Sequence, residues 1–210
     1  MTDSPNSGPA LAREWDERYA EFAEQIPDGA PSAVVIDQAR RRPASTALDI
    51  GCGVGADAMW LAGQGWTVTA LDVSQVALDR AAASARRAGV HVDWVCTRLE
   101  DLALTPPGFD LVVAHYPALR HSAGGDAERA LLSAVAPGGT LLVVHHADVD
   151  VEKAKSFGFD PSVYLSHDDV VELLGADWDV TTERRRLRDV PAGIDGQHTH
   201  DDIVVARKKP

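Results

Sequence analysis

Residues 47–58, ALDIGCGVGADA, place Gly51, Gly53 and Gly55 at alternate positions behind a short apolar run that carries one carboxylate, Asp49. Such a run reads as a buried strand that breaks into a tight turn and then a helix. The segment GCGVGA meets the pattern G-x-G-x-x-G/A, and Asp72 follows Gly51 by 21 residues, so a dinucleotide fingerprint is formally satisfied. Asp49 argues against that ligand. A carboxylate about 5 Å from a pyrophosphate opposes it by about 3 kcal/mol at an effective dielectric near 20. S-adenosylmethionine presents a sulfonium and an α-ammonium instead, which the same carboxylate attracts. Asp72, at the end of the next strand, can accept both hydroxyls of a ribose, which either cofactor requires.

The whole chain is compatible with a small-molecule enzyme. Its 210 residues are enough for a full core, with 45% hydrophobic and 25% charged residues. A formal net charge of −12 disfavours a general nucleic-acid role, which calls for basic residues against phosphates. The one basic run, ERRRLR at 183–188, reads as a solvated strand edge. No apolar run approaches the roughly 18 residues that span a bilayer, so no membrane role is expected. The start, MTDSPNSGPA, lacks the basic and apolar regions of an export signal and reads as a disordered tail over 1–10. The two cysteines, Cys52 and Cys96, are too few for a disulfide framework and read as reduced, buried thiols of a cytoplasmic protein.

Beyond the tail, residues 11–210 read as one domain. LAREWDERYAEFAEQI, residues 11–26, carries Trp15, Tyr19 and Phe22 at helical spacing, and Pro27, Gly29 and Pro31 end it. A short helix, SAVVIDQARRR, then leads to Pro43. From there strands and helices alternate. TALDIG, WTVTALD, VHVDWVC, FDLVVAHY and GGTLLVVHH are expected strands, the last introduced by the turn Pro137-Gly138-Gly139. Helices fall over ADAMWLAGQG, over the alanine-rich segment that Ser74 caps and Gly89 ends, and over DAERALLSAV. After a helix over HDDVVELLG come strands near WDVTTERRRL and HDDIVVARK, with no helix between them. Strands linked by helices imply right-handed crossovers and a doubly wound, mostly parallel sheet of seven strands, with an antiparallel pair at one edge. Ligands of such sheets sit at the carboxyl ends of the strands. If strand two lies between one and three, the cysteines are about 9–10 Å apart, beyond disulfide reach.

LDIGCGVGADAMWLAGQGWTVTALDVS resembles motif I and the following acidic strand of the class I S-adenosylmethionine-dependent methyltransferases, a Rossmann-like fold. FDLVVAHY and LLSAVAPGGTLLVVHH are similar to that family's fourth strand and its Pro-Gly-Gly entry to the fifth. EWDERYAE resembles the N-terminal helix that closes over the cofactor in the small thiopurine-type and tellurite-resistance-type members. The resemblance implies an N-terminal lid over 11–42, a cofactor half over 43–146 and an acceptor-side half over 147–210. It further implies that Gly51, Cys52, Gly53 and Gly55 approach the methionine and ribose, that Asp49 meets the amino group, and that Asp72 and Val73 bind the ribose side. Leu99 would pack on the purine, with Arg98 and Glu100 beside it. Arg98 stands where an adenine-reading carboxylate is usual. On the lid, Trp15 or Tyr19 would face the cofactor and Arg18 would meet the methionine carboxylate.

Methyl transfer is an in-line displacement in which alignment and desolvation supply most of the acceleration, with a base only where the nucleophile carries a proton. His115 and Tyr116 end the fourth strand, where the family lines its transfer site, and are the candidate catalytic residues; Pro117 is expected to hold Tyr116 extended. His145 and His146 end strand five and read as packed, hydrogen-bonded residues rather than as bases. His198 and His200 share a strand face, yet no matching Cys or Glu spacing supports a metal. The segment 147–170 is expected to be the longest irregular stretch, with Phe157, Phe159 and Tyr164 as a possible apolar acceptor pocket. The expected function is methyl transfer from S-adenosylmethionine to an oxygen, nitrogen or sulfur atom of a small molecule. An NAD-dependent oxidoreductase and an inactive cofactor-binding protein are the alternatives, and the oligomeric state is open.

Overall fold

The computed structural model describes residues 8–21, 29–105, 107–122, 124–188 and 199–210. Two compact units make up the chain, Met1–Leu104 and Thr105–Pro210.

The first unit contains α1 (Gly8–Glu21), α2 (Ala33–Arg40), β1 (Thr46–Ile50), α3 (Ala56–Gly63), β2 (Thr67–Asp72), α4 (Gln75–Ala88) and β3 (Asp93–Cys96), then a 3-10 turn over Leu99–Asp101. Its strands are parallel, with β2 central: Asp49 lies opposite Ala70, and Asp72 opposite Cys96. Leu48 and Ile50 are buried, as a strand covered on both faces requires. The two cysteines are free: Cys52 lies in the turn after β1 and Cys96 ends β3, and neither is buried as expected, Cys52 being half-buried and Cys96 exposed. Helix α1 begins at Gly8, inside the expected tail, and its described part ends at Glu21; residues 1–7, and Phe22 and Pro27 with them, lie outside the described residues.

The second unit contains β4 (Phe109–His115), α5 (Asp126–Ser133), β5 (Val135–His146), α6 (Val151–Ser156), a 3-10 turn over Pro161–Val163, α7 (His167–Leu173), β6 (Trp178–Leu187) and β7 (His200–Lys208). β4 and β5 are parallel, while β7 runs antiparallel to both β5 and β6, which gives the order β4-β5-β7-β6. The Pro-Gly-Gly segment does not precede β5 but interrupts it: Phe109 pairs with Val135 and Leu111 with Thr140, so the intervening residues loop out as a bulge. A second bulge, in β6, turns Arg185 to φ 54, and Asp202 fastens it by accepting from the Arg185 N–H and from Arg184 Nη1.

The segment 147–170 is more regular than expected. Asp150 caps α6 by accepting the Lys153 N–H, Asp160 accepts the Ser162 N–H, and Ser166 and Asp169 form a reciprocal capping box on α7. Short polar side chains supply partners that the sequence lacks in hydrophobic period.

Ser74 has a double task in the first unit. Its Oγ accepts the Ala77 N–H at 3.1 Å as the cap of α4, and donates at 2.7 Å to Asp16 Oδ1 on α1. Asp16 Oδ1 also accepts the Val76 N–H, so one carboxylate fastens α1 across the start of α4. Ser74→Ala is expected to cost about 1–3 kcal/mol in denaturant unfolding, the sum of a lost cap and a lost charged hydrogen bond. A loss within experimental error would show that neither bond bears on stability.

Candidate functional site

The glycine loop is built by backbone conformation. Gly51, Gly53 and Gly55 take φ of 67, 53 and 80 degrees, the left-handed region that side chains resist. Space excludes side chains as well. A Cβ on Gly53 would stand 2.6 Å from Tyr19 Oη, and one on Gly55 would stand 2.5 Å from the Trp94 ring. The Cys52 N–H donates to the Leu71 carbonyl at 2.9 Å, tying the turn to β2.

Asp72 holds this loop from the neighbouring strand end. Its Oδ2 accepts the Gly53 N–H at 2.9 Å and its Oδ1 accepts the Ser74 N–H at 2.8 Å. Burial raises its pKa, partly offset by those hydrogen bonds, and Asp16 raises it further. Each oxygen retains a second lone pair for a ligand hydroxyl.

Asp49 is in the most unusual position. It is 2% exposed, and its Oδ2 has no hydrogen-bond partner among the described residues. Burial pushes its carboxyl well above the usual range, and the charges of Asp57 and Asp72 push the same way, against a hydrogen bond from the Ala58 backbone. Asp57 Oδ1 itself accepts the Ser32 N–H. Burial, Asp49 and Asp72 also raise the Cys52 thiol, which makes it unreactive at neutral pH. A buried, half-satisfied carboxyl beside two others is costly by itself. It fits a ligand ammonium and repels a phosphate, so these residues suit S-adenosylmethionine.

Helix α1 brings Trp15 and Tyr19 together at a ring separation of 6.2 Å. Burial, then Asp72, raises the Tyr19 hydroxyl pKa. Trp15 Nε1 is buried with no hydrogen-bond partner among the described residues, a donor at the same end of the unit as the orphaned acceptor. Arg18 lies 5.5 Å from the Trp15 ring and pairs with Glu14 at 3.7 Å. Leu99 is 1% exposed. Arg98 bridges to Glu100 at 3.2 Å and to Asp101 at 2.7 Å, so the carboxylates of its own turn neutralise it. The Val73 carbonyl accepts from Cys96 Sγ at 3.6 Å. Asp16, Asp57 and Trp94 all shape this site and were not expected from the sequence.

In the second unit His115 and Tyr116 end β4 with ring centroids 4.1 Å apart. Tyr116 is not extended as its position before Pro117 predicts: its φ is 53. The local preference yields to three attachments. Its N–H donates to the Val144 carbonyl, its ring stacks on His146 at 3.8 Å, and its hydroxyl donates to both oxygens of Asp201 at 2.9 and 3.0 Å. Although burial works against it, Asp201 is held below the usual range by hydrogen bonds from His146 and Tyr116 and by Arg188. With its hydroxyl committed, Tyr116 suits a wall rather than a proton acceptor.

A cavity of about 280 Å³ opens in this unit, lined by Tyr116, His145, Phe159, Tyr164, His167 and Arg184 among others. Phe159 and Tyr164 stack at 5.0 Å, as the apolar-pocket expectation has it. Phe157 does not join them and is 71% exposed. Burial, reinforced by His167, lowers the His145 pKa to about 4. His167 is buried at the first turn of α7, a position with no sequence signal. His198 lies outside the described residues, so the His198–His200 pairing has no structural counterpart here.

Residues 47–139 match the family model for a methyltransferase domain. The ubiquinone biosynthesis O-methyltransferase of Chromobacterium violaceum is 31% identical over 133 residues, 63% of this chain and 57% of that protein. The chain therefore matches little more than half the length of this relative. Magnesium protoporphyrin IX methyltransferase from Synechocystis PCC 6803, solved with bound S-adenosylhomocysteine, aligns at TM-score 0.68 and 17% identity, covering 96% of this chain and 99% of that one. The 1,6-didemethyltoxoflavin-N1-methyltransferase of Burkholderia thailandensis aligns at TM-score 0.68 and 19% identity, covering 100% and 92%. These two likenesses concern the fold, a Rossmann-like α/β sheet of seven strands, mostly parallel with antiparallel pairing at one edge. Residues 47–139, which carry motif I with Asp49 and Asp72 at its strand ends, thus match a methyltransferase domain, and the fold is that of the class I S-adenosylmethionine-dependent methyltransferases.

Proposed function

We propose that this protein methylates an oxygen, nitrogen or sulfur atom of a small-molecule acceptor, with S-adenosylmethionine as donor. The observation that carries this reading is the buried Asp49 carboxyl, whose Oδ2 lacks a partner among the described residues, beside a loop rich in glycine. Asp49 would hold the cofactor's ammonium, and Asp72 its ribose hydroxyls. Gly51, Gly53 and Gly55, with Cys52, would let the methionine portion approach the backbone. Leu99 would pack the adenine, with Val73, Arg98 and Glu100 around its edge, and Trp15, Arg18 and Tyr19 would cover the site from α1. When bound, the cofactor supplies an electrophilic methyl group on a sulfonium.

For the acceptor the second unit offers His115 and a cavity faced largely with apolar and aromatic side chains. The names of the relatives, O-methyltransferases and an N-methyltransferase solved with its small-molecule ligand, support a small acceptor without fixing the atom. No helix among the described residues is long and apolar enough to cross a membrane, and the net charge of −12 argues against nucleic acid as the acceptor. A cytoplasmic setting accords with two free cysteines.

Asp49→Asn separates the binding role from a structural one, because it acts with opposite signs. Removing a buried, unneutralised carboxyl should raise the melting temperature of the free protein. The same change should weaken S-adenosylhomocysteine binding about 10- to 100-fold, as for a lost charged hydrogen bond of about 1.5–3 kcal/mol. Calorimetric titration and thermal unfolding measure the two; unchanged affinity, or NADH binding in place of S-adenosylhomocysteine, removes the assignment. His115→Ala should lower turnover by a larger factor than it lowers cofactor affinity. Equal losses in both would assign His115 to the scaffold.

A further inference from the structure

The second unit's cavity has a chemistry that is separable from methyl transfer itself. Its size is the first constraint. A cavity of about 150 Å³ lined by apolar side chains holds benzene, so about 280 Å³ accommodates one substituted ring or two fused rings. The walls are flat as well as apolar. Phe159 and Tyr164 stack at 14 degrees between planes, and Tyr116 stacks with His146 at 23 degrees. Pro117, Val149, Pro161 and Leu165 complete the apolar lining.

Charge is the second constraint. Arg184 is the one lysine or arginine among the lining residues. It is already held by Asp202 at 2.8 Å and by Asp168, both of which line the cavity too. An anionic ligand would find this cation neutralised twice over, within a chain of net charge −12. Hydrogen bonding is the third. Apart from an interaction with the Leu165 backbone, the ring nitrogens of His145 have no partner among the described residues, and neither does Nε2 of His167, which is 5% exposed. Burial keeps His145 in its neutral form, with one donor and one acceptor. Buried polar atoms left unmatched are costly, a cost that a ligand hydroxyl or ring N–H, able to pair with an imidazole nitrogen, would remove.

We infer that this cavity binds a neutral, planar molecule of one or two fused rings bearing a hydroxyl or ring N–H, with His145 and His167 reading that group, and that it discriminates against carboxylate-bearing analogues. The inference deepens the proposed methyl transfer by naming the class of acceptor, and rests on it for that role.

The test uses 2-naphthol, naphthalene and 6-hydroxy-2-naphthoate as probes, titrated by fluorescence into the full chain with and without S-adenosylhomocysteine at neutral pH. 2-Naphthol should bind at least about tenfold more tightly than either analogue. Val149→Trp, which fills the cavity, should weaken 2-naphthol at least about tenfold while S-adenosylhomocysteine binding persists. His145→Leu should erase the preference for 2-naphthol over naphthalene. Equal or tighter binding of the carboxylate, or 2-naphthol binding untouched by Val149→Trp, would overturn the inference; should His145→Leu fail to fold, the wild-type preferences still decide. Absence of S-adenosylhomocysteine binding with the naphthol preferences intact would count against the cofactor assignment and leave the cavity's selectivity standing.

Discussion

A carboxyl without a counter-charge, buried at the end of the first strand, governs the chemistry of this chain. Asp49 is sealed from water with one oxygen unmatched and two further carboxylates within electrostatic reach. A structure does not keep such a group for stability, because an apolar residue of similar size would cost less there. On the proposed reading, it keeps the group for a partner that arrives with positive charge. The surrounding features follow from that need: glycines so that the partner can come close, a second carboxylate on β2 that shapes the loop by holding Gly53, and a helix fastened by Asp16 across the start of α4.

The second unit handles charge in the opposite way. Asp201 is matched by Tyr116, His146 and Arg188, and Asp202 by Arg184 and the Arg185 backbone. Among the described residues, what remains unmatched at its cavity is imidazole nitrogen rather than carboxylate oxygen. The first unit thus leaves a carboxyl oxygen unmatched and the second leaves imidazole nitrogens, and the proposed cofactor and acceptor answer those two chemistries respectively.

Much of this was legible in the sequence, for physical reasons that differ by element. The burial of Asp49 and Asp72 was readable because each stands at the carboxyl end of an apolar run that has to be a buried strand. Ser74 and Gly89 bound α4 where capping chemistry requires them, and β7 covers the same nine residues, His200–Lys208, that the alternation marks out. Other features were hidden. Asp16 is a polar residue on an aromatic-rich helix, and no periodicity reveals that it reaches Ser74 and Val76, roughly sixty positions away. Pro137-Gly138-Gly139 has turn chemistry, yet β5 continues through it because Val135 pairs with Phe109 before the bulge. Tyr116 departs from its pre-proline preference because tertiary bonds outweigh a local one. Phe157 and Phe159 differ only in which side of the Gly158 turn they occupy, so composition could not show that one lines the cavity and the other faces solvent.

The most direct test follows protons. If Asp49 is held protonated by burial and ionises when an ammonium takes its place beside Oδ2, then cofactor-product binding must expel a proton. Titrating S-adenosylhomocysteine at mildly acidic pH in buffers of different ionisation enthalpy measures that quantity. Net proton release is predicted, and it should vanish with 5′-methylthioadenosine, which keeps the nucleoside and lacks the amino acid. Binding with no proton release, or the same release for both ligands, would contradict the account.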